Sequence, residues 1–345
     1  MTMIPVIKAS GTPWDIGHVM GSLLSKHLQN AVERFDERIA SQLGENGLND
    51  KIESYVACTE KLAPRTLEEI RGMAEGAGVG FMSLFCLNAA QELTYSQGCS
   101  SLAVNGDATA DGSVILGHNE DNSPFYSDHC YVVDGTPDEE PAFLAFAYAG
   151  MVLHQGFNDH GIGSVGNALY SNDLKPGVPK LVAYREVMRS EFLEDAIRRC
   201  IRPERANGNN HVLASIEGEI YDVEVSATKY SLLYAEGGVM AHTNHFTAAE
   251  LQHLDAWADL LNSRIRLNRL RKLLHRDRGE ITVESVKRAL SDHANYPRSI
   301  CKHVKLGVNE GVSTVGSVIM NLTDKTLQAT SGNPCEGGYR QLKMS

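Results

Sequence analysis

The chain has 345 residues of ordinary globular composition, 42% hydrophobic and 22% charged. Its net charge of −11 argues against nucleic acid or an anionic membrane as the main partner, since such surfaces call for a basic face; small molecules are favoured instead. Seven cysteines without CxxC spacing give no disulfide framework, the first residues carry no signal-peptide pattern, and no apolar run approaches the ~18 residues of a membrane span, so a cytoplasmic protein is expected.

In chain order, residues Asp15 to Leu62 mix polar and apolar positions at helical spacing. Thr66 is placed to cap an amphipathic helix over Leu67–Glu75, with Gly76 and Gly78 ending it. The pattern then changes. Cys99–Val104 and Ser113–Gly117 read as two strands of a hairpin around the polar turn Asn105-Gly106. Further strands are expected at Phe143–Tyr148, Ile162–Asn167 and Ile220–Val225, and helices at Lys180–Ile201, Leu254–Leu274 and Val283–Leu290. Strands Ser317–Leu322 and Thr326–Thr330 close the chain. No linker, repeat or low-complexity stretch divides it, so one domain over 1–345 is expected, with two packed sheets covered by helices.

The pair Gly98-Cys99 looks like a self-cleavage junction. A cut there yields fragments 1–98 and 99–345, and the helical first fragment is expected to stay bound as a partner because it covers a sheet that would otherwise expose its apolar face. Cys99 would then carry both a thiol and a free α-amine, with reference pKa values of roughly 8.5 and 7.7 to 8.0, which puts a nucleophile and a base on one residue. Glycine before the scissile bond tolerates strained dihedrals and leaves the carbonyl unhindered. The other reading of such a residue is a buried core cysteine. Ser100 and Ser101 offer hydroxyls that could hydrogen-bond the thiolate or its target. Asp121, in Asn119-Glu-Asp-Asn122 just past the second strand, could return to the nucleophile; Glu120, its neighbour on an alternating strand, would point elsewhere.

Leu67-Glu-Glu-Ile-Arg-Gly-Met-Ala-Glu-Gly-Ala-Gly78, Gln91-Glu92-Leu93, Gly98-Cys-Ser-Ser101, Gly117-His-Asn-Glu-Asp-Asn122, His242-Thr-Asn-His-Phe246, Asp292-His293 followed by Ser299-Ile-Cys301, and Ser331-Gly-Asn-Pro-Cys335 occur in that order. This succession resembles the acyl-coenzyme A:6-aminopenicillanate acyltransferase family, the C45 group of self-processing cysteine peptidases. The resemblance implies an α+β fold, the four-layer αββα sandwich of N-terminal-nucleophile hydrolases, and an acyl-Cys99 thioester intermediate. It implies that Asn244 is the oxyanion-hole asparagine, a type of donor worth roughly 3 to 4 kcal/mol, and that Asp121 orients or activates the cysteine. The family's catalytic arginine has no clear match; Arg298 and Lys302 are the local cations near Ser299–His303.

The expected activity is hydrolysis of a small-molecule acyl amide. An acyl-CoA-dependent N-acyltransferase, using an acyl thioester, is the alternative, and a non-processed binding protein is the rival from another class. No cofactor or metal is expected. His242 and His245 stand three apart without a clear third ligand. Gly161-Ile-Gly-Ser-Val-Gly166 matches G-x-G-x-x-G but is not followed by a helical run, so strand and turn is preferred over a dinucleotide site and the oxidoreductase it would suggest. The basic run from Arg264 to Arg276 reads either as a solvated helix face or as a CoA-phosphate site.

Overall fold

The computed structural model describes residues 3–43, 45–94, 98–256, 260–304 and 311–344. Strand β1 (Val6–Gly11) leads into helix α1 (Pro13–Leu23), which starts at a capping box: Thr12 Oγ1 accepts from the Asp15 amide at 3.2 Å and the Thr12 amide donates to Asp15 Oδ2 at 2.9 Å. Helices α2 (Ser25–Leu43), α3 (Glu45–Leu62), α4 (Pro64–Ala77), α5 (Phe81–Asn88) and α6 (Ala90–Leu93) complete a helical first segment. Thr66 does not cap α4. Pro64 occupies the first turn, and the Thr66 hydroxyl instead sits buried between Glu186 Oε1 and Arg189 Nη1. Gly76 does not end the helix either; together with Gly72 it lets α4 touch α1, where a Cβ would collide with the carbonyls of His18 and Trp14. The helix ends at Gly78, whose φ of 66° is the left-handed cap.

The second segment is mostly strand: β2 (Cys99–Val104), β3 (Ile115–Asn122), β4 (Cys130–Pro137), β5 (Phe143–Tyr148), β6 (Gln155–Asn158) and β7 (Ile162–Val165). The expected helix over 180–201 is two, α7 (Lys180–Val187) and α8 (Leu193–Cys200). Strands β8 (Asn209–Ser215), β9 (Ile220–Val225), β10 (Tyr230–Tyr234) and β11 (Val239–His242) follow. The helix expected from Leu254 is α9 (Leu261–Arg276); part of that expectation falls on 257–259, outside the described residues. Helix α10 (Val283–Leu290) and strands β12 (Ser313–Asn321), β13 (Thr326–Ser331) and β14 (Arg340–Lys343) end the chain.

One sheet runs β1-β4-β5-β6-β7-β8-β9-β10 and the other β11-β2-β3-β12-β13-β14. The first packs under α1 and α8, the second under α9 and α10, and the two sheets face each other, which makes the four layers of an αββα sandwich. Both faces of β2 and β3 are therefore covered, and every residue in them is buried. Leu116 and Leu322 close on Gly163 across the inter-sheet space, whereas Leu102, Ile115 and Ile319 meet Leu267, Leu270 and Val286 of the outer helices. The glycine-rich stretch lies in β7 and the turn before it, not in a strand-to-helix phosphate loop.

Candidate active site

Cys99 is the first residue of β2, and the antiparallel register sets it directly opposite Glu120 of β3. Residues facing each other across such a pair share a side of the sheet, so Cys99, Ser101, His118 and Glu120 line the inter-sheet face. Their polar atoms form a chain. Ser101 Oγ lies 2.9 Å from His118 Nδ1, His118 Nε2 lies 3.1 Å from Glu120 Oε2, and the Cys99 thiol donates to that same oxygen at 3.4 Å. Glu120 Oε1 accepts from the Tyr148 hydroxyl at 2.8 Å, and His154 Nε2 stands 3.5 Å from Oε2. The carboxylate expected to point away is thus the one beside the thiol.

Burial opposes a charge on Glu120, yet the neighbouring imidazoles of His154 and His118 outweigh it and hold the carboxyl down at about 2. Burial pushes His154 down to about 3, leaving a neutral imidazole beside the anion. Burial, helped by the Glu120 charge, pushes the Cys99 thiol up to about 12, while Lys180 and Arg266 pull the other way. The thiol is therefore protonated and donates its hydrogen to the Glu120 carboxylate.

Odd and even positions separate here, so Ser100 and Asp121 face the outer layer under α9. Arg266, 2% exposed, donates through Nη1 to the Cys99 carbonyl and to Ser100 Oγ, and through Nη2 to Asn244 Oδ1 at 2.8 Å. Lys302 Nζ pairs with Asp121 Oδ2 at 2.9 Å, and the Thr314 hydroxyl donates to Asp121 Oδ1 at 2.7 Å. Asp121 is thus brought to the junction rather than to the thiol: its amide donates to the Gly98 carbonyl at 2.9 Å. Space explains the glycine, because a Cβ on Gly98 would collide with Lys302 Nζ and lie 2.8 Å from Asp121 Oδ2.

Strand β11 pairs His242 with Ser101, which carries the following residues toward the start of β2. Asn244 accepts there from the Cys99 amide at 2.8 Å and donates to the Ala168 carbonyl at 3.2 Å. His242 is not poised with His245 for a cation: its Nε2 meets Glu224 Oε1 at 2.8 Å, while His245 Nδ1 lies 2.7 Å from Ser263 Oγ. A cavity of about 50 Å³ opens beside Cys99, lined by Glu120, Tyr148, His154, Ala168, Tyr170 and Lys180 among others. By the scale of one water per about 10 to 15 Å³ it has room for only a few waters.

Glu120, His118, His154, Arg266 and Lys180 escaped the sequence reading, as did the position of Lys302 beneath the junction. Arg266 stands one helical turn before Leu270, in step with a buried leucine row, which is the signal that could have separated it from the rest of the basic run. Elsewhere in that run Arg269 pairs with Asp292 at 2.6 Å and Arg276 with Asp277 at 2.6 Å.

The geometry sets a buried cysteine beside a carboxylate at a strand end in an αββα sandwich. The model of the acyl-coenzyme A:6-aminopenicillanic acid acyl-transferase family matches residues 108–336, and the chain belongs to that family. It is an enzyme of a group of hydrolases and acyltransferases that act on amide bonds. It is 25% identical over 344 residues to the acyl-coenzyme A:6-aminopenicillanic-acid-acyltransferase 40 kDa form of Emericella nidulans, covering 95% of this chain and 92% of that one. It is also 24% identical over 226 residues to the beta-alanyl-dopamine/carcinine hydrolase of Drosophila melanogaster, 56% of either chain. Among solved structures, the N-acylethanolamine-hydrolyzing acid amidase ortholog of Caenorhabditis elegans matches with a TM-score of 0.48 and 16% identity, covering 65% of this chain and 93% of that one. Penicillin V acylase of Agrobacterium tumefaciens matches at 0.48 and 12%, covering 71% and 86%. No helix among the described residues is long and apolar enough to cross a membrane.

Proposed function

We propose that the chain cuts itself between Gly98 and Cys99 and then uses Cys99 as an N-terminal nucleophile to hydrolyse an acyl amide of a small molecule. The observation that carries this reading is the grip on the junction. The Gly98 carbonyl, the Cys99 amide and the Cys99 carbonyl are each held by a separate group, with the thiol beside a carboxylate.

In the cut, Cys99 Sγ attacks the Gly98 carbonyl carbon while the thiol proton leaves toward Glu120. The Asp121 amide, already on that oxygen, stabilises the developing charge. The carbon–nitrogen bond breaks, the Cys99 nitrogen takes up the proton, and a Gly98 thioester remains until water releases the Gly98 carboxylate and the thiol. In turnover the new α-amine takes the thiol proton, the thiolate attacks the substrate carbonyl, and the carbon–nitrogen bond breaks as the α-amine returns the proton to the departing substrate amine. Water then cleaves the acyl-Cys99 thioester to release the acid and the free thiol. Asn244 then holds the α-amine through Oδ1 and offers Nδ2, which in this state donates to the Ala168 carbonyl, to the substrate oxyanion.

Hydrolysis is favoured over CoA-dependent transfer because, on the basic helix, Arg266 is buried at the junction and Arg269 and Arg276 already pair with carboxylates, which withdraws those three cations from a phosphate. A cytoplasmic setting belongs to the same proposal, since none of the seven cysteines forms a disulfide. Intact mass of fresh protein tests the cut: fragments 1–98 and 99–345 are expected to co-purify, and Cys99→Ala should stay whole. A cut alanine variant would refute self-processing. Acyl-amide turnover whose free-acid yield is unchanged by added amine supports hydrolysis; amide product dominating from an acyl-CoA donor would reverse the choice.

A further inference from the structure

Around the residues that flank Lys302 in the chain, four side chains with metal-binding atoms converge. They are His293, Cys301, His303 and Cys335, spaced His-x7-Cys-x-His-x31-Cys, and their ligand atoms all lie within 4.8 Å of one another. The closer contacts are specific. Cys301 Sγ lies 3.5 Å from Cys335 Sγ, each sulfur lies 3.5 Å from His303 Nε2, and the two imidazole Nε2 atoms are 3.2 Å apart.

We propose that these four residues bind one zinc ion in a closed, structural Cys2His2 site. Zinc–sulfur bonds near 2.3 Å and zinc–nitrogen bonds near 2.0 to 2.1 Å, set at tetrahedral angles, put ligands about 3.8 Å (sulfur–sulfur), 3.6 Å (sulfur–nitrogen) and 3.3 Å (nitrogen–nitrogen) apart. The four separations given above are each within 0.3 Å of these values. Mutual hydrogen bonding explains the cluster less well. Two ring nitrogens and two sulfurs in contact have more lone pairs than protons to share, and one divalent cation satisfies all four at once. A disulfide needs sulfurs about 2.0 Å apart and leaves both imidazoles unexplained. Two thiolates and two imidazoles favour zinc over the oxygen-seeking cations, and four protein ligands leave no open position for catalysis.

The surroundings suit a held metal. His303 Nδ1 faces Glu336 Oε1 at 3.8 Å, which places a carboxylate on the side of the ring away from the cluster. Asn333 donates to Cys301 Sγ at 3.4 Å and to the Lys302 carbonyl at 2.7 Å. The ion would therefore tie the loops at 293–303 and 333–336 together on both sides of Lys302, whose ammonium reaches Asp121 beneath the scissile bond. The zinc site stands independently of whether the chain cuts itself.

The test uses the full chain, purified without chelator. Mass spectrometry of metals should find one zinc per chain. Cobalt added after chelation should give the visible d–d bands and thiolate charge transfer of a tetrahedral sulfur–nitrogen site. Cys335 is exposed, yet in the metal-loaded protein it should resist alkylation until chelator is added. His293→Ala and Cys335→Ser should each weaken zinc binding on the order of 10²-fold or more, beyond the 10- to 100-fold typical of outer partners, while Cys58→Ser retains the metal. Should the variants fail to fold, the cobalt spectrum and the alkylation pattern of the wild-type chain still decide the matter. Absence of metal with no thiolate charge transfer on cobalt addition, a Cys301–Cys335 disulfide in fresh protein, or metal retained by both variants would each overturn the site.

Discussion

The two faces of the β2–β3 hairpin carry opposite chemistry one residue apart. Toward the other sheet, the Cys99 thiol meets an anion, Glu120, buffered by neutral imidazoles and a tyrosine. Toward the outer helices, two cations, Arg266 and Lys302, grip the peptide backbone and a buried aspartate. A pleated strand can keep these environments apart because it sends neighbouring side chains in opposite directions. The inner face manages the sulfur and its proton, and the outer face holds the peptide bond that the proposed cut would break.

That division can be broken by experiment. Glu120→Gln removes the inner-face proton acceptor of the cut and should slow self-cleavage by about 10²- to 10⁴-fold, the usual range for a lost general base; a variant that cuts at the wild-type rate would end the assignment. Asn244→Ala, at the meeting point of both faces, should lower kcat by about 10²- to 10³-fold with little change in KM. On the outer face, Lys302→Met leaves the Asp121 charge buried and uncompensated, and should cost about 3 to 5 kcal/mol of stability and slow the cut. The double variant Asp121→Asn/Lys302→Met should recover part of that stability in denaturant titrations, and failure to recover any would show that the ion pair is not what Lys302 contributes.

The smallest effect expected is in acid. His154 titrates near 3 in the fold and near 6.5 when unfolded, so between those values the unfolded chain binds the extra proton and stability falls as pH drops. The depressed Glu120 carboxyl adds a further loss below about 4.5, as pH falls toward 2. Melting curves from pH 7 to pH 4 should therefore slope less steeply for His154→Gln than for wild type.

Much of this arrangement is legible in the sequence, and the gaps have physical reasons. Cys99–Val104, Phe143–Tyr148, Ile220–Val225 and Val283–Leu290 match their elements end to end because their apolar periods are undisturbed. The carboxylate facing the thiol was misplaced for want of a register. Ten residues, 105–114, separate β2 from β3, so no tight turn sets the pairing, and β3 runs on to Asn122 through polar residues that do not look like a strand. The expected helix 180–201 breaks in two because Arg189 and Ser190 are held by tertiary partners that local propensity does not see. Gly76 looks like a helix breaker until α1 is brought against it, an approach no local pattern encodes.

Strand β1 pairs in parallel with β4, Val6 opposite Val132, at the edge of the eight-stranded sheet. A cut after Gly98 leaves that strand on a separate polypeptide, donated to a sheet whose other strands belong to the larger piece. Assembly, once intramolecular, then becomes a reaction between two molecules, so dilution weakens it by mass action. The mature protein would lose the short path back to its fold, and its lifetime would be set by how slowly the donated strand and its helices let go.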